Sequence, residues 1–327
     1  MEIEILLWFQ KIREALGLPF STLIAVLSDV LCYGAVVLAI LLYWCKNKKL
    51  GVALMSIYGI SLFINQFLKA SFTVSRPWVK DTNITPTDYA IKGATGYSFP
   101  SNHVQTVTSI NGTLAAQKKK NVLLINTFII VFMAFTRMFI GVHTPKDVIF
   151  GIITGGISII LYYLYLKSIK DYPEREKEFL LLFFIMSAIC IIYVLAKSYP
   201  QATEANQIIV DPLTMKKDSM RSIAVFFTVF LGTLLEKKYV RFSTKVSNKY
   251  KWQRLIIGVI ISLAVFGLSR LLLPMILRVE LARLVETILL VITVTFIYPF
   301  IFNKYERKWM EKFIALKNRE VSIFPHE

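Results

Sequence analysis

Apolar residues run along this chain in blocks of about twenty, separated by short polar segments rich in lysine. A bilayer-crossing helix needs ~20 mostly apolar residues, and it satisfies its backbone polar groups internally. The blocks predict nine spans, at about 21–45, 50–69, 102–117, 121–141, 146–167, 178–198, 219–236, 254–277 and 282–303. The third is the weakest by hydropathy, because it contains Asn111, Gly112 and Thr113. Residues 2–16 mix Ile3, Leu6, Leu7, Trp8 and Phe9 with Glu2, Glu4, Lys11 and Arg13. That block is too short and too charged to span, and it predicts a helix lying in the interface. It lacks the basic start and small-residue cleavage site of a signal peptide. The expected fold is an all-α polytopic membrane bundle in three parts. They are an interfacial helix over 1–20, a membrane core over 21–198, and a further three-helix bundle with a basic tail over 199–327.

Composition agrees with membrane residence: 55% of the 327 residues are hydrophobic. The net charge of +17 sits between the apolar blocks, where it sets topology and attracts anionic lipid. No base-reading motif accompanies it, so nucleic acid is not an expected partner. Of the 38 Lys and Arg, 23 fall in one set of alternate loops. These are Lys46 to Lys49, Lys118 to Lys120, Lys167 to Lys177, Lys237 to Arg254 and Lys304 to Arg319. The positive-inside rule then puts the N-terminus outside and the C-terminus in the cytoplasm. Cys32, Cys45 and Cys190 lie in apolar blocks without metal-ligand spacing, as small packed hydrophobes would. Lean loops and abundant Lys and Ile favour a bacterial plasma membrane. The sequon Asn83-Ile84-Thr85 would matter in the alternative, a eukaryotic endoplasmic reticulum with the site in the lumen.

Three polar clusters stand at the outer ends of the predicted spans. The first is Lys69…Arg76-Pro77. A spacing of seven is two helical turns, so both cations can share a face, and together they make an anion site. Two snorkelling interfacial cations explain the pair equally well. The second is Ser98-Phe99-Pro100-Ser101-Asn102-His103, where a helix N-terminus favours an anion and His103 brings a transferable proton. A plain helix cap at Ser101 or Asn102 is the simpler account of that cluster alone. The third is Arg137…His143-Thr-Pro-Lys-Asp147. A carboxylate on one ring nitrogen of His143 would fix the tautomer and free the other for attack. A helix-stabilising Asp147 is the competing explanation, but it leaves His143 and Arg137 unexplained. His326, the third histidine, lies in the C-terminal tail. Together the clusters hold what metal-free phosphoryl transfer needs, and no metal or other cofactor is expected.

These clusters resemble the three-part signature of the type 2 phosphatidic acid phosphatase superfamily of lipid phosphate phosphatases. The signature reads K-x6-R-P, P-S-G-H and S-R-x5-H-x3-D. Here it stands as Lys69…Arg76-Pro77, Pro100-Ser101-Asn102-His103 and Thr136-Arg137…His143…Asp147, within about residues 50–165. The resemblance implies an α-helical bundle with its pocket at the outer membrane face. It implies His143 as the nucleophile that forms phosphohistidine, Asp147 as its orienter and His103 as the acid for the leaving oxygen. Lys69, Arg76, Ser101, Asn102 and Arg137 are implied as the phosphate-binding set. Two positions depart from the pattern. Thr136 replaces the usual Ser, and Asn102 replaces a glycine whose backbone N–H binds phosphate. Asn tolerates positive φ, so the turn can survive, with the side chain either crowding the pocket or adding a donor. Nine spans with an outside N-terminus are also similar to the glucose-6-phosphatase branch.

The expected substrate is a membrane lipid phosphate or diphosphate, such as phosphatidate, phosphatidylglycerophosphate or a polyprenyl diphosphate. Short loops leave no roof for a soluble substrate. The alternatives are a small soluble phosphate ester, transfer of the phosphate to another acceptor, and a non-catalytic phosphate or phospholipid binder or transporter. Asp29, Arg270 and Glu286 are the intramembrane charges a transporter would use, although Arg270 and Glu286 can simply pair. The last three spans can widen a lateral opening for lipid, cover the pocket or form a homodimer.

Overall fold

The computed structural model describes residues 1–116, 120–200, 203–204, 207–208 and 210–306. Lys118, Lys119, the basic tail beyond Glu306 and His326 lie outside the described residues. Twelve α-helices follow one another among the described residues. They are α1 (Glu2–Leu16), α2 (Leu18–Leu41), α3 (Lys48–Phe72), α4 (Pro77–Lys80), α5 (Asp88–Gly93), α6 (Asn102–Ala115), α7 (Lys120–Phe139), α8 (Pro145–Asp171), α9 (Arg175–Ala196), α10 (Pro212–Leu235), α11 (Asn248–Leu272) and α12 (Val279–Ile292). Single π turns extend α2 to Lys46 and α10 to Val240, and another lies in the continuation of α12 to Glu306. Thr203–Glu204 and Gln207–Ile208 pair as two-residue antiparallel strands.

Among the described residues, eight helices are long and apolar enough to cross a membrane. They correspond to eight of the nine predicted spans. The ninth, α6, has only 14 residues, a rise of about 21 Å against a hydrocarbon core of about 30 Å. It is an inner helix, packed by α2, α3, α7 and α8. Its Gln105, Thr106, Thr108, Ser109, Asn111 and Thr113 are all buried, which is why its hydropathy is low. The side-chain amide of Gln105 donates to Ser61 O at 2.8 Å and accepts from Asn65 Nδ2 at 2.8 Å, so α3 satisfies its polarity.

Local chemistry sets the helix starts. The Asn47 carboxamide accepts from Leu50 N at 3.1 Å and begins α3. Thr144 and Asp147 form a reciprocal capping box ahead of α8, with Pro145 in the first turn. Asp211 accepts from Leu213 N and Thr214 N, each at 3.0 Å, so α10 begins at Pro212. That is seven residues before the predicted start at 219, because hydropathy finds the apolar centre of a helix and not its polar first turns.

α10 lies against α3, α9 and α12. A β-carbon on Gly59 of α3 would stand 3.2 Å from Phe226 Cα, and Gly232 of α10 gives room to Thr295. The ends of the bundle away from α4 and α5 are tied by buried charge. Lys48 Nζ meets Glu236 Oε1 at 2.6 Å, and Arg254 reaches Glu306 at 2.6 Å and Trp44 O at 2.7 Å. At the other end Arg270 pairs with Glu286 at 3.6 Å, and Arg283 also contacts Glu286.

The α6–α8 contact depends on two glycines. A β-carbon on Gly151 would lie 3.0 Å from Ser101 O, and one on Gly155 would lie 2.9 Å from Gln105 O and 2.8 Å from Thr108 Cβ. Gly156, next in sequence, faces open space. Gly155→Leu should therefore force α6 away from α8 and lower stability by about 1–3 kcal/mol, while Gly156→Leu should be tolerated. Thermal unfolding in detergent tests this, and equal midpoints for the two variants would contradict the contact.

Candidate active site

α3 ends at Phe72, and Thr73 adopts a left-handed conformation (φ 47°) as its cap. Pro77 opens α4, and Arg76 before it is extended (φ −67°, ψ 157°). Lys69 and Arg76 therefore do not share one helical face, as their spacing predicts. They come together because the chain turns back between them. Lys69 Nζ donates to Tyr97 O, and to Ser98 O at 3.3 Å. Arg76 Nε donates to Gly96 O at 2.7 Å and Nη1 to Val142 O at 3.0 Å. Both buried cations thus hold the approach to α6 and the loop before α8.

Gly141 (φ 79°) turns the chain out of α7, where a β-carbon would also press on Pro86 at 3.1 Å. His143 follows in the loop to α8, fully enclosed. Its Nε2 lies 3.0 Å from Arg76 Nη1. A guanidinium can only donate, so Nε2 accepts and Nδ1 carries the ring proton. Nδ1 faces Asp147 Oδ2 at 3.6 Å and Ser98 Oγ at 3.4 Å, and Ser98 Oγ donates to the same Oδ2 at 2.5 Å. Asp147 Oδ2 also accepts from Thr144 N at 2.8 Å. The carboxylate therefore caps its own helix and also faces the imidazole. Burial, with the Arg76 and Lys69 cations nearby, holds the His143 imidazole well below its ordinary pKa despite Asp147, so the ring is neutral near pH 7.

Ser101 is the N-cap of α6, but its hydroxyl makes no cap bond and is buried without a partner. Ser101 N donates to Asp147 O at 3.0 Å, joining the starts of α6 and α8. Asn102 is the first residue of α6 and does not have positive φ, so the position does not need glycine for its backbone. Its Oδ1 is buried without a partner. Arg137 Nη1 donates to Ser28 Oγ at 3.1 Å and lies 3.8 Å from Asp29 Oδ1, and its Nε has no partner. His103 Nε2 is 2.9 Å from Asp29 Oδ1. Thr136 turns its hydroxyl back to Met133 O at 2.9 Å and takes no part in the site.

A cavity of about 470 Å³ gathers these groups. Lys69, Arg76, Asn102, His103, Arg137 and His143 line it, while Asp147 and Ser101 stand behind the wall. The opposite wall comes from α10, α11 and α12, with Met215, Asp218, Arg221, Phe266, Glu286 and Leu290 among its residues. These helices therefore form part of the pocket wall. Ser98 and Asp29 are the groups that motif reading missed. Ser98 lies three residues before Ser101 and was visible as polar company, whereas Asp29 stood out only as a charge inside an apolar block.

A sequence model described as the PAP2 superfamily matches residues 50–171. A second, described as a PAP2 superfamily phosphatase transmembrane extension, matches residues 220–308. The chain is 29% identical over 119 residues to an undecaprenyl-diphosphatase of Sulfolobus acidocaldarius, covering 36% of this chain and 56% of that protein. It is 28% identical over 173 residues to a probable sphingosine-1-phosphate phosphatase of Dictyostelium discoideum, covering 49% of this chain and 41% of that protein. The matches thus span about half the length of these curated relatives. No solved structure matches significantly. With both halves of the described bundle matched by sequence models of one superfamily, and its three motifs around one cavity, the chain belongs to the PAP2 superfamily.

Proposed function

We propose that this chain is a membrane phosphatase that hydrolyses a lipid phosphate or diphosphate through a phosphohistidine at His143. The observation that carries the reading is the convergence of six motif groups from separate segments on one cavity. His143 Nε2 attacks phosphorus as the bond to the lipid oxygen breaks, and His103 gives that oxygen a proton. Water then attacks the phosphohistidine and gives its proton back to His103, and phosphate leaves with Nε2 restored. Lys69, Arg76, Arg137 and Asn102, which line the cavity, stabilise charge on the transferring oxygens, while Ser101 stands behind the wall. Arg76 Nη1, which bonds the Nε2 lone pair, moves onto a phosphate oxygen when substrate binds.

A lipid substrate is favoured by the opposite wall, where Met215, Val225, Phe266 and Leu290 continue the polar pocket with apolar surface. The names of the two relatives, an undecaprenyl-diphosphatase and a sphingosine-1-phosphate phosphatase, point the same way. Phosphate release from a panel of purified lipid phosphates, lipid diphosphates and sugar phosphates tests the reading. Lipid substrates should be turned over with chelator present. His143→Ala should abolish turnover, and Asp147→Asn should lower it by orders of magnitude through the wrong tautomer. Turnover of sugar phosphates alone would favour the soluble-ester reading, and turnover surviving in His143→Ala would contradict the mechanism.

The distribution of charge supports an outer-face site. The loops at the far end of the bundle carry Lys46, Lys48, Lys237, Lys238, Arg241 and Lys245, while α5 and its neighbours lie at the site end. A cysteine at Asp88 should react with an impermeant thiol reagent in intact cells, and one at Asn248 should not. The reverse pattern would put the site in the cytoplasm.

Asn102 is read as a phosphate donor, because its amide lines the cavity beside the unpartnered Ser101 hydroxyl. Losing a charge-assisted hydrogen bond costs roughly 1.5–3 kcal/mol, or about one to two orders of magnitude in kcat/KM. Asn102→Ala and Asn102→Gly should both show that loss. Wild-type rates in the glycine variant would mean that only the backbone N–H matters.

A further inference from the structure

Asp29 sits in the middle of α2, outside the residues matched by the superfamily model. An acidic side chain in an apolar span is costly unless a partner or a function keeps it there. Its partners are specific. Oδ1 lies 2.9 Å from His103 Nε2 and 3.8 Å from Arg137 Nη1, and Oδ2 accepts from Tyr89 OH at 3.3 Å. Ser28, beside it, takes the Arg137 donor at 3.1 Å. Tyr33, one turn further along α2, packs edge-on against the His103 ring with centroids 6.1 Å apart.

We propose that Asp29 is the positioning residue of the leaving-group acid, holding His103 by Nε2 so that Nδ1 delivers the proton. The distances separate this from a plain salt bridge with Arg137. The imidazole is the nearer partner, and Ser28 already accepts from the guanidinium. The two histidines then have opposite arrangements. His143 is tethered at Nδ1 through Asp147 and Ser98, which leaves Nε2 as a lone pair for attack. His103 is tethered at Nε2, and the adjacent carboxylate favours the imidazolium that an acid must carry, against burial and Arg137, which leave the ring's pKa lowered to about 4. As the phosphorus–oxygen bond breaks, the Nδ1 proton passes to the lipid alkoxide and the ring becomes neutral while keeping Nε2–H on Asp29. The attacking water later returns a proton to Nδ1, so the cycle balances.

The proposal rests on the phosphatase reading, and the test separates the two. Turnover is measured with a long-chain alkyl phosphate, whose alkoxide needs a proton to leave, and with a nitrophenyl phosphate, whose phenolate does not. Wild type, His143→Ala, His103→Ala, Asp29→Asn and the Asp29→Asn/His103→Ala double variant are compared. Failure of the wild type on both substrates would sink the phosphatase reading itself. Given wild-type turnover, Asp29→Asn should lose about 10²-fold in kcat on the alkyl phosphate, with KM little changed, and less than about threefold in the rate of the first-turnover burst of nitrophenolate, which precedes the step in which His103 takes a proton from water. A retained burst also shows that the variant is folded. The double variant should be no slower than His103→Ala alone on the alkyl phosphate, because Asp29 acts through that ring. Equal losses on both substrates, a loss confined to KM, no loss, or additive losses in the double variant would each overturn the proposal.

Discussion

A buried carboxylate inside a membrane bundle must have partners, and Asp147 satisfies that demand in a way that organises the site around it. Its Oδ2 takes the Thr144 amide and the Ser98 hydroxyl and faces the His143 ring. Its backbone oxygen takes the Ser101 amide. One residue thus fixes the start of α8, the start of α6, the segment before α6 and the orientation of an imidazole. Arg76 completes the arrangement from the opposite side, bonding Gly96 O, Val142 O and His143 Nε2. Both segments that meet at the histidine are therefore held by charge-assisted hydrogen bonds, which are about twice as strong as neutral ones.

The helices beyond residue 210 belong to this arrangement and are not an ornament on it. α10 packs directly on α3, with Phe226 against Gly59, and shares an apolar cluster with Ile57, Ile60 and Tyr162. Its polar first turns put Asp218 and Arg221 across the cavity from Arg76 and His143. Without these helices that side of the pocket would be open. Here it is walled by helices whose outer faces are apolar, with Ile256, Ile260, Leu263 and Leu271 of α11 exposed to the surroundings.

Much of this was legible in the sequence. Blocks of apolar residues mark eight spanning helices, because a bilayer demands length and hydropathy that little else does. The three motifs mark six cavity-lining groups, because polar side chains at span ends are uncommon without a use. What escaped is equally physical. α6 is short and polar because protein and not lipid surrounds it, so hydropathy could not separate it from a weak span. Lys69 and Arg76 meet through a left-handed turn at Thr73, which helical spacing does not describe. Asp29 is two spans away in sequence from its partner His103, and no local pattern links them. α10 starts early because Asp211 caps it, and its first turns are too polar to register as membrane helix.

The central claim is that His143 attacks through Nε2 because Nδ1 is tethered by Ser98 and Asp147. The most direct measurement is the site and regiochemistry of a trapped phosphoenzyme. Protein mixed with phosphorus-labelled lipid phosphate, quenched in alkali within the first turnover and digested, can be read by mass spectrometry and phosphorus NMR. The account predicts a single phosphohistidine at His143, with phosphorus on Nε2. Phosphorus on Nδ1, on His103, or on no residue while turnover proceeds would contradict it.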